Sequence, residues 1–207
     1  DTSVNPIKLF KKITSEEAKY FEDIKKCSTK YSLSYTYSFQ DDSYSYTNIK
    51  LRYGGLVDVD VWNGIKEYVT EYGVVACLTS NIDSEYQSIT ESLLDLIEVD
   101  SNATMVDIAG AAGYSVVKVD GNAPAQTTQD NKDYMLFNGV ASVPSMKYSN
   151  MAVSAVAFVK VNGSYVLFEE TSKSVKSIAQ EYLNDSTLTL SESYRNSLRG
   201  IVDYVIE

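Results

Sequence analysis

"AVAFVKVNGSYVLFEETSKSV", residues 155–175, is the stretch that decides the fold. It reads as a strand, a two-residue turn, a second strand and the start of a helix. Asn162–Gly163 suits a hairpin turn in which both central residues take positive φ, the conformation Asn and Gly tolerate best. That turn sets the register. Val161 should face Ser164, Val159 should face Val166 and Ala157 should face Phe168. On the other face Lys160 meets Tyr165, and Phe158 meets Leu167. Both faces are mainly apolar near the middle, which predicts a hairpin held between two layers rather than one with a wet side. The strongest local signal in the chain is therefore architecture, and the chemistry has to be sought elsewhere.

Downstream, "SKSVKSIAQEYLN" carries Val175, Ile178, Ala179, Tyr182 and Leu183 at helical spacing. "SESYRNSLRGIVDYVI" follows with Ser191 as N-cap and Tyr194, Leu198, Ile201, Val202 and Val205 as its apolar stripe. Upstream, "YSLSYTYSF" places Tyr31, Leu33, Tyr35, Tyr37 and Phe39 at strict period two against Ser and Thr, as a half-buried antiparallel strand does. "QDDS" supplies a turn, and "YSYTNIKLRYGGLV" returns with Ile49, Leu51 and Tyr53 on one face. "DVDVWNGIKEYVTE" predicts a short helix, "YGVVACLT" a central strand, and residues 84–97 a helix on Ile89, Leu93, Leu96 and Ile97. "YSVVKVDG" and "DYMLFNGVAS" read as strands separated by a polar loop, "NAPAQTTQDNK". At the N-terminus, "TSEEAKYFEDIKK" opens with Thr14 and Glu17 spaced for a capping box.

About seven strands result, at residues 31–39, 45–57, 72–79, 114–120, 133–142, 151–161 and 164–170. The expectation is a mainly β, α+β fold: an antiparallel β-sandwich with an N-terminal helix and two C-terminal helices. No Pro/Gly/Ser-rich linker divides the chain. Residues 1–27 read as a helical extension and residues 28–207 as a single domain.

Composition narrows the function. Eighteen basic against 28 acidic residues leave a net charge of −10, a poor match to nucleic acid or to anionic lipid, both of which call for clustered Lys and Arg. No run of apolar residues reaches the length of a membrane span. The chain has no histidine, which removes Ser-His-Asp and Cys-His catalysis and the commonest transition-metal ligand. Cys27 and Cys77 are too few for a cysteine-rich metal site; they suit either one disulfide or two separate thiols, with Cys77 inside an apolar run. Seventeen tyrosines, interleaved with Ser and Thr, give a composition familiar from extracellular β-rich proteins.

Candidate sites are few. Asp58 and Asp60 in "DVDVWNG" resemble the start of a calcium loop, but the sixth position is Asn63 and the twelfth is Val69, so the loop fails and a helix-start role is expected. "AGAAGY" at 109–114 is small and flexible but lacks the Lys-Ser/Thr of a phosphate loop. No Ser nucleophile has a base in a recognisable frame, and no cofactor or metal is expected. Aromatic residues remain. Trp62 with Tyr44 and Tyr46, just past the first turn, are the candidates for a ligand-stacking platform, and the Ser/Thr face of residues 32–38 resembles an edge open to another strand.

Arg52–Tyr53–Gly54, Tyr72–Gly73–Val74, Val161–Gly163–Val166 and Ser174–Val175 with Ile178–Ala179 occur here in that order. Over roughly residues 45–207 the chain resembles an Ig-like module found toward the C-terminal ends of secreted and surface proteins of Gram-positive bacteria and their wall-less relatives. The resemblance implies an Ig-like sandwich on an exported protein and carries no catalytic residue. The expectation is a non-enzymatic structural or interaction module, extracellular or on a cell surface, whose partners are proteins or further copies of itself. The alternative is a module of a larger secreted protein that binds a carbohydrate or host ligand.

Overall fold

The computed structural model describes residues 13–117 and 124–206. Among these the chain is α+β, with nine strands in two antiparallel sheets and six helices. The first sheet has the order β1-β2-β6-β5, from β1 (Thr29–Gln40), β2 (Ser43–Asp58), β5 (Ala125–Gln129) and β6 (Lys132–Val143). The second has the order β4-β3-β7-β8, from β3 (Val69–Leu78), β4 (Ser115–Val117), β7 (Val153–Val161) and β8 (Ser164–Leu167). β9 (Thr171–Lys173) continues beside β7 past a break at Phe168–Glu170.

The opening hairpin forms in the expected register. Val161 pairs Ser164, Lys160 pairs Tyr165, Val159 pairs Val166 and Phe158 pairs Leu167, while the Phe168 amide donates to the Ala157 carbonyl at 2.8 Å. Asn162 and Gly163 have φ of 49° and 83°, the doubly positive turn those residues favour. Every residue from Ser154 to Val159 is buried. Ala155, Ala157, Val159 and Val161 point into a core shared with Leu33, Leu51, Tyr53, Val57 and Phe137 of the first sheet. Val156 and Phe158 point the opposite way, into a second core with Ile89 and Leu93 of α3 (Ile89–Val99) and Met105 and Ile108 of α4 (Met105–Ala111). β7 therefore lies between two layers, as its sequence predicts.

Helices complete the shared core. Ile24 of α1 (Ser15–Ile24) and Trp62 and Ile65 of α2 (Val59–Ile65) close one end. α1 carries the expected capping box between Thr14 and Glu17, and α2 starts on the Asp58 carboxylate, whose Oδ1 accepts from the Asp60 amide at 2.8 Å. Val175, Ile178 and Ala179 of α5 (Val175–Asn184) and Leu198 and Ile201 of α6 (Glu192–Asp203) cover the inner face of the β1–β2 hairpin. Ser174 and Ser191 cap α5 and α6.

Several expectations are corrected. Among the described residues the strands number nine rather than about seven. The segment read as a polar loop contains β5, because Asp130 and Asn131, both at positive φ, turn it back onto β6 as a hairpin. "AGAAGY" is no flexible loop: its first three residues end α4, whose N-cap Thr104 accepts from the Asp107 amide. α3 starts at Ile89 rather than 84, since Ser88 is its N-cap. The strand expected at 114–120 is described only as Ser115–Val117; residues 118–120, and residues 1–12 of the expected extension, lie outside the described residues. Val205 leaves the stripe of the last helix, which stops at Asp203, and is 77% exposed.

Candidate functional site

The β1–β2 hairpin carries an array of aromatic rings beneath α6. Tyr35 stacks on Tyr194 at 5.7 Å and meets Tyr46 edge-on at 5.7 Å, while Tyr44 lies 6.1 Å from both Tyr37 and Tyr46 and 4.7 Å from Phe39. A bulge at Asn48, φ 51°, shifts the register between Ser34 and Thr36. The hydroxyls are used by the helix. Ser197 Oγ donates to the Tyr194 carbonyl at 2.8 Å, so the Tyr35 hydroxyl donates to Ser197 Oγ at 2.8 Å, and Tyr46 donates to the Ser197 carbonyl at 2.7 Å. Tyr37 reaches Ser193 Oγ at 2.7 Å. Gly200 lets α6 approach, because a Cβ there would stand 2.3 Å from the Tyr46 hydroxyl oxygen. Burial pushes the Tyr35 and Tyr46 phenols well above their ordinary range. The array is a docking surface for the chain's own helix.

Trp62 does not join it. It is 7% exposed and packs against Tyr72 and Phe137 in the shared core, where no ring face is left for a ligand. The platform expected from Trp62, Tyr44 and Tyr46 is therefore split: Tyr44 and Tyr46 meet under α6, and Trp62 lies in the shared core against Tyr72 and Phe137. Among the described residues Arg52 has no carboxylate partner; its guanidinium donates to Ser34 Oγ on the outer face of the first sheet. Cys27 and Cys77 are free thiols in different surroundings, one against each core, and burial pushes both up to about 11. Among the described residues, no three acidic or cysteine side chains gather as a metal site.

Two features that the sequence did not mark do stand open. The first is a cleft of about 470 Å³ at the C-terminal end of α5, lined by Tyr31, Glu181, Tyr182, Asn184 and Asp185. Glu181 accepts from the Tyr31 hydroxyl at 2.6 Å and from Lys173, whose ammonium also lies 4.7 Å from the Tyr31 ring. Burial opposes the charge on Glu181, but the hydrogen bonds from Lys173 and Tyr31 outweigh it and hold the carboxyl below its usual range. The Tyr182 hydroxyl accepts from the Leu33 amide at 3.2 Å. Asp185 Oδ1 accepts from the Thr187 hydroxyl at 2.6 Å and the Thr187 amide at 2.8 Å, which keep its carboxyl acidic.

The second is a sheet edge. At one side of the first sheet the start of β1 is sealed: the Thr29 amide donates to the Glu169 carbonyl at 2.8 Å, and the Leu33 amide is taken by Tyr182. The edge expected at residues 32–38 is thus closed at its beginning. At the other side β5 pairs, among the described residues, only with β6. Four of its five residues are exposed, and "AQTTQ" holds no charge, no proline and no bulge. An apolar cavity of about 220 Å³ also lies between Leu51, Leu78, Val143, Tyr148, Met151 and Val153, with almost no polar group in its wall. Comparison with protein-family models, with curated proteins and with solved structures found no match.

Proposed function

We propose that this chain is a non-enzymatic interaction module of an exported, surface or extracellular assembly, its two sheets forming an Ig-like sandwich, and that it joins its partner by strand addition at β5. The open, uncharged β5 edge carries the reading. Unpaired backbone N–H and C=O groups along an edge template another strand, and proteins that avoid this place Lys, Pro or a bulge there. β5 has none of these, while the opposite edge of the same sheet is closed at its beginning by Glu169 and Tyr182. The partner expected first is a second copy, because a polar Gln/Thr strand pairs antiparallel with itself without like charges facing each other.

Light scattering on the purified chain across a concentration series tests this. The expected result is a mass above the 23.0 kDa of one chain that rises with concentration. It should return to one chain in the double variant Ala125→Lys/Gln129→Lys, which sets charges on the exposed edge without touching a buried residue. A strict monomer at every concentration would remove self-pairing.

A further inference from the structure

We infer that the cleft between the start of β1 and the end of α5 binds a neutral pyranose sugar, with Tyr31 and Tyr182 supplying the walls and Asn184, Asp185 and Glu181 reading the hydroxyls. This inference is independent of the β5 edge, which belongs to the other side of the first sheet.

Its volume of about 470 Å³ falls inside the range of small-molecule sites, about 300–1,000 Å³. A pyranose has one face of C–H groups and a rim of vicinal hydroxyls. It therefore needs an aromatic or apolar wall beside convergent donors and acceptors. Each lining group is held by one or two internal bonds and keeps a valence to spare. Tyr182 accepts from the Leu33 amide, which leaves its own O–H as a donor. Asn184 Oδ1 accepts from Gln180 Nε2 at 3.1 Å, which leaves the two Nδ2 hydrogens. Asp185 uses Oδ1 on Thr187 and keeps Oδ2. Glu181 takes one bond at each oxygen and retains a second lone pair on each. Such pinned groups lose little freedom when a ligand arrives.

Charge sets the selectivity. Lys173 cancels Glu181, so the cleft carries the single negative charge of Asp185. A sugar acid should be repelled where its neutral counterpart is admitted.

The test is titration of the full ¹⁵N-labelled chain with the methyl glycosides of glucose, galactose and mannose, with N-acetylglucosamine and with glucuronate, followed by amide shifts. At least one neutral sugar should move the amides of Leu33 and of residues 182–185. Its affinity should fall about tenfold or more in Asn184→Ala and in Asp185→Asn, and glucuronate should bind about tenfold more weakly than glucose. Both substituted residues are exposed, and circular dichroism confirms that the variants fold. No shift at these amides with any neutral sugar, or equal affinity in both variants, would overturn the assignment.

Discussion

The two sheets share one core and differ in what covers their other side. Behind the second sheet, Val75, Val156 and Phe158 are buried under α3 and α4. Behind the first, Lys30, Lys50, Arg52 and Asn138 are exposed or half-buried, and among the described residues no helix packs on them. A strand covered on both faces must be apolar at nearly every position, whereas one covered on a single face alternates. β7 and β1 are these two cases, "SAVAFV" against "YSLSYTYS".

The largest break in this contrast should come from Phe158→Ala. The side chain is 1% exposed and joins β7 to the helical layer, so its loss is expected to cost about 3–5 kcal/mol in urea unfolding. A loss under 1 kcal/mol would mean that α3 and α4 do not add a second core.

Alkali should act next, through the covered rings and thiols together. Burial raises the phenols of Tyr35, Tyr46, Tyr53 and Tyr165 above the free value of 10.0, and raises Cys27 and Cys77 from 9.0 to about 11. The folded form of each holds its proton more tightly than the unfolded form. Their contribution is therefore complete below pH 9.0 and is lost as pH rises through the thiol and then the phenol range. Asp58, held acidic first by Lys132, and Glu181 have the opposite sign and lose theirs as pH falls below 4.5. Unfolding midpoints at neutral pH and in alkali, read beside tyrosinate absorbance, check this; an unchanged midpoint while the buried phenols ionise would refute it.

Smaller effects sharpen the comparison inside each layer. Gly55→Ala would put a methyl 2.2 Å from the Phe137 ring in the shared core and should cost about 1–3 kcal/mol. Tyr114→Phe removes the buried bond to Ser92, 3.1 Å, beneath α3 and should cost about 1 kcal/mol. Lys50→Ala, on the uncovered face, should stay within about 0.5 kcal/mol. Equal costs for Tyr114→Phe and Lys50→Ala would erase the distinction between the faces.

The hairpin of residues 153–167, its register and the helix caps at Thr14 and Ser191 were legible because each follows from a few adjacent residues. β5 was not, since "AQTTQ" has no apolar alternation and its Asp-Asn turn lacks the glycine that marks the other hairpin. α4 was hidden by Ala and Gly, although Thr104 and Asp107 stood at capping distance. Trp62 misled because exposure is a property of neighbours: Tyr72 and Phe137, which pack against it, come from strands that no pattern around Trp62 announces. The cleft is invisible for a like reason. Tyr31 and Glu181 meet across 150 positions of sequence, and nothing near either predicts the other.

That long closure has a consequence for synthesis. Tyr31, Tyr35, Tyr37 and Tyr46 find their bonds on residues 150 or more positions later, at Glu181, Ser193 and Ser197. At about 5–20 residues per second, the ribosome leaves this aromatic hairpin without its cover for about ten seconds or more. For that interval the nascent chain presents a sticky ribbon of rings with alternate polar teeth, the kind of surface a holding chaperone recognises. The emergence of α6, rather than of any strand, is the moment at which these rings gain their cover.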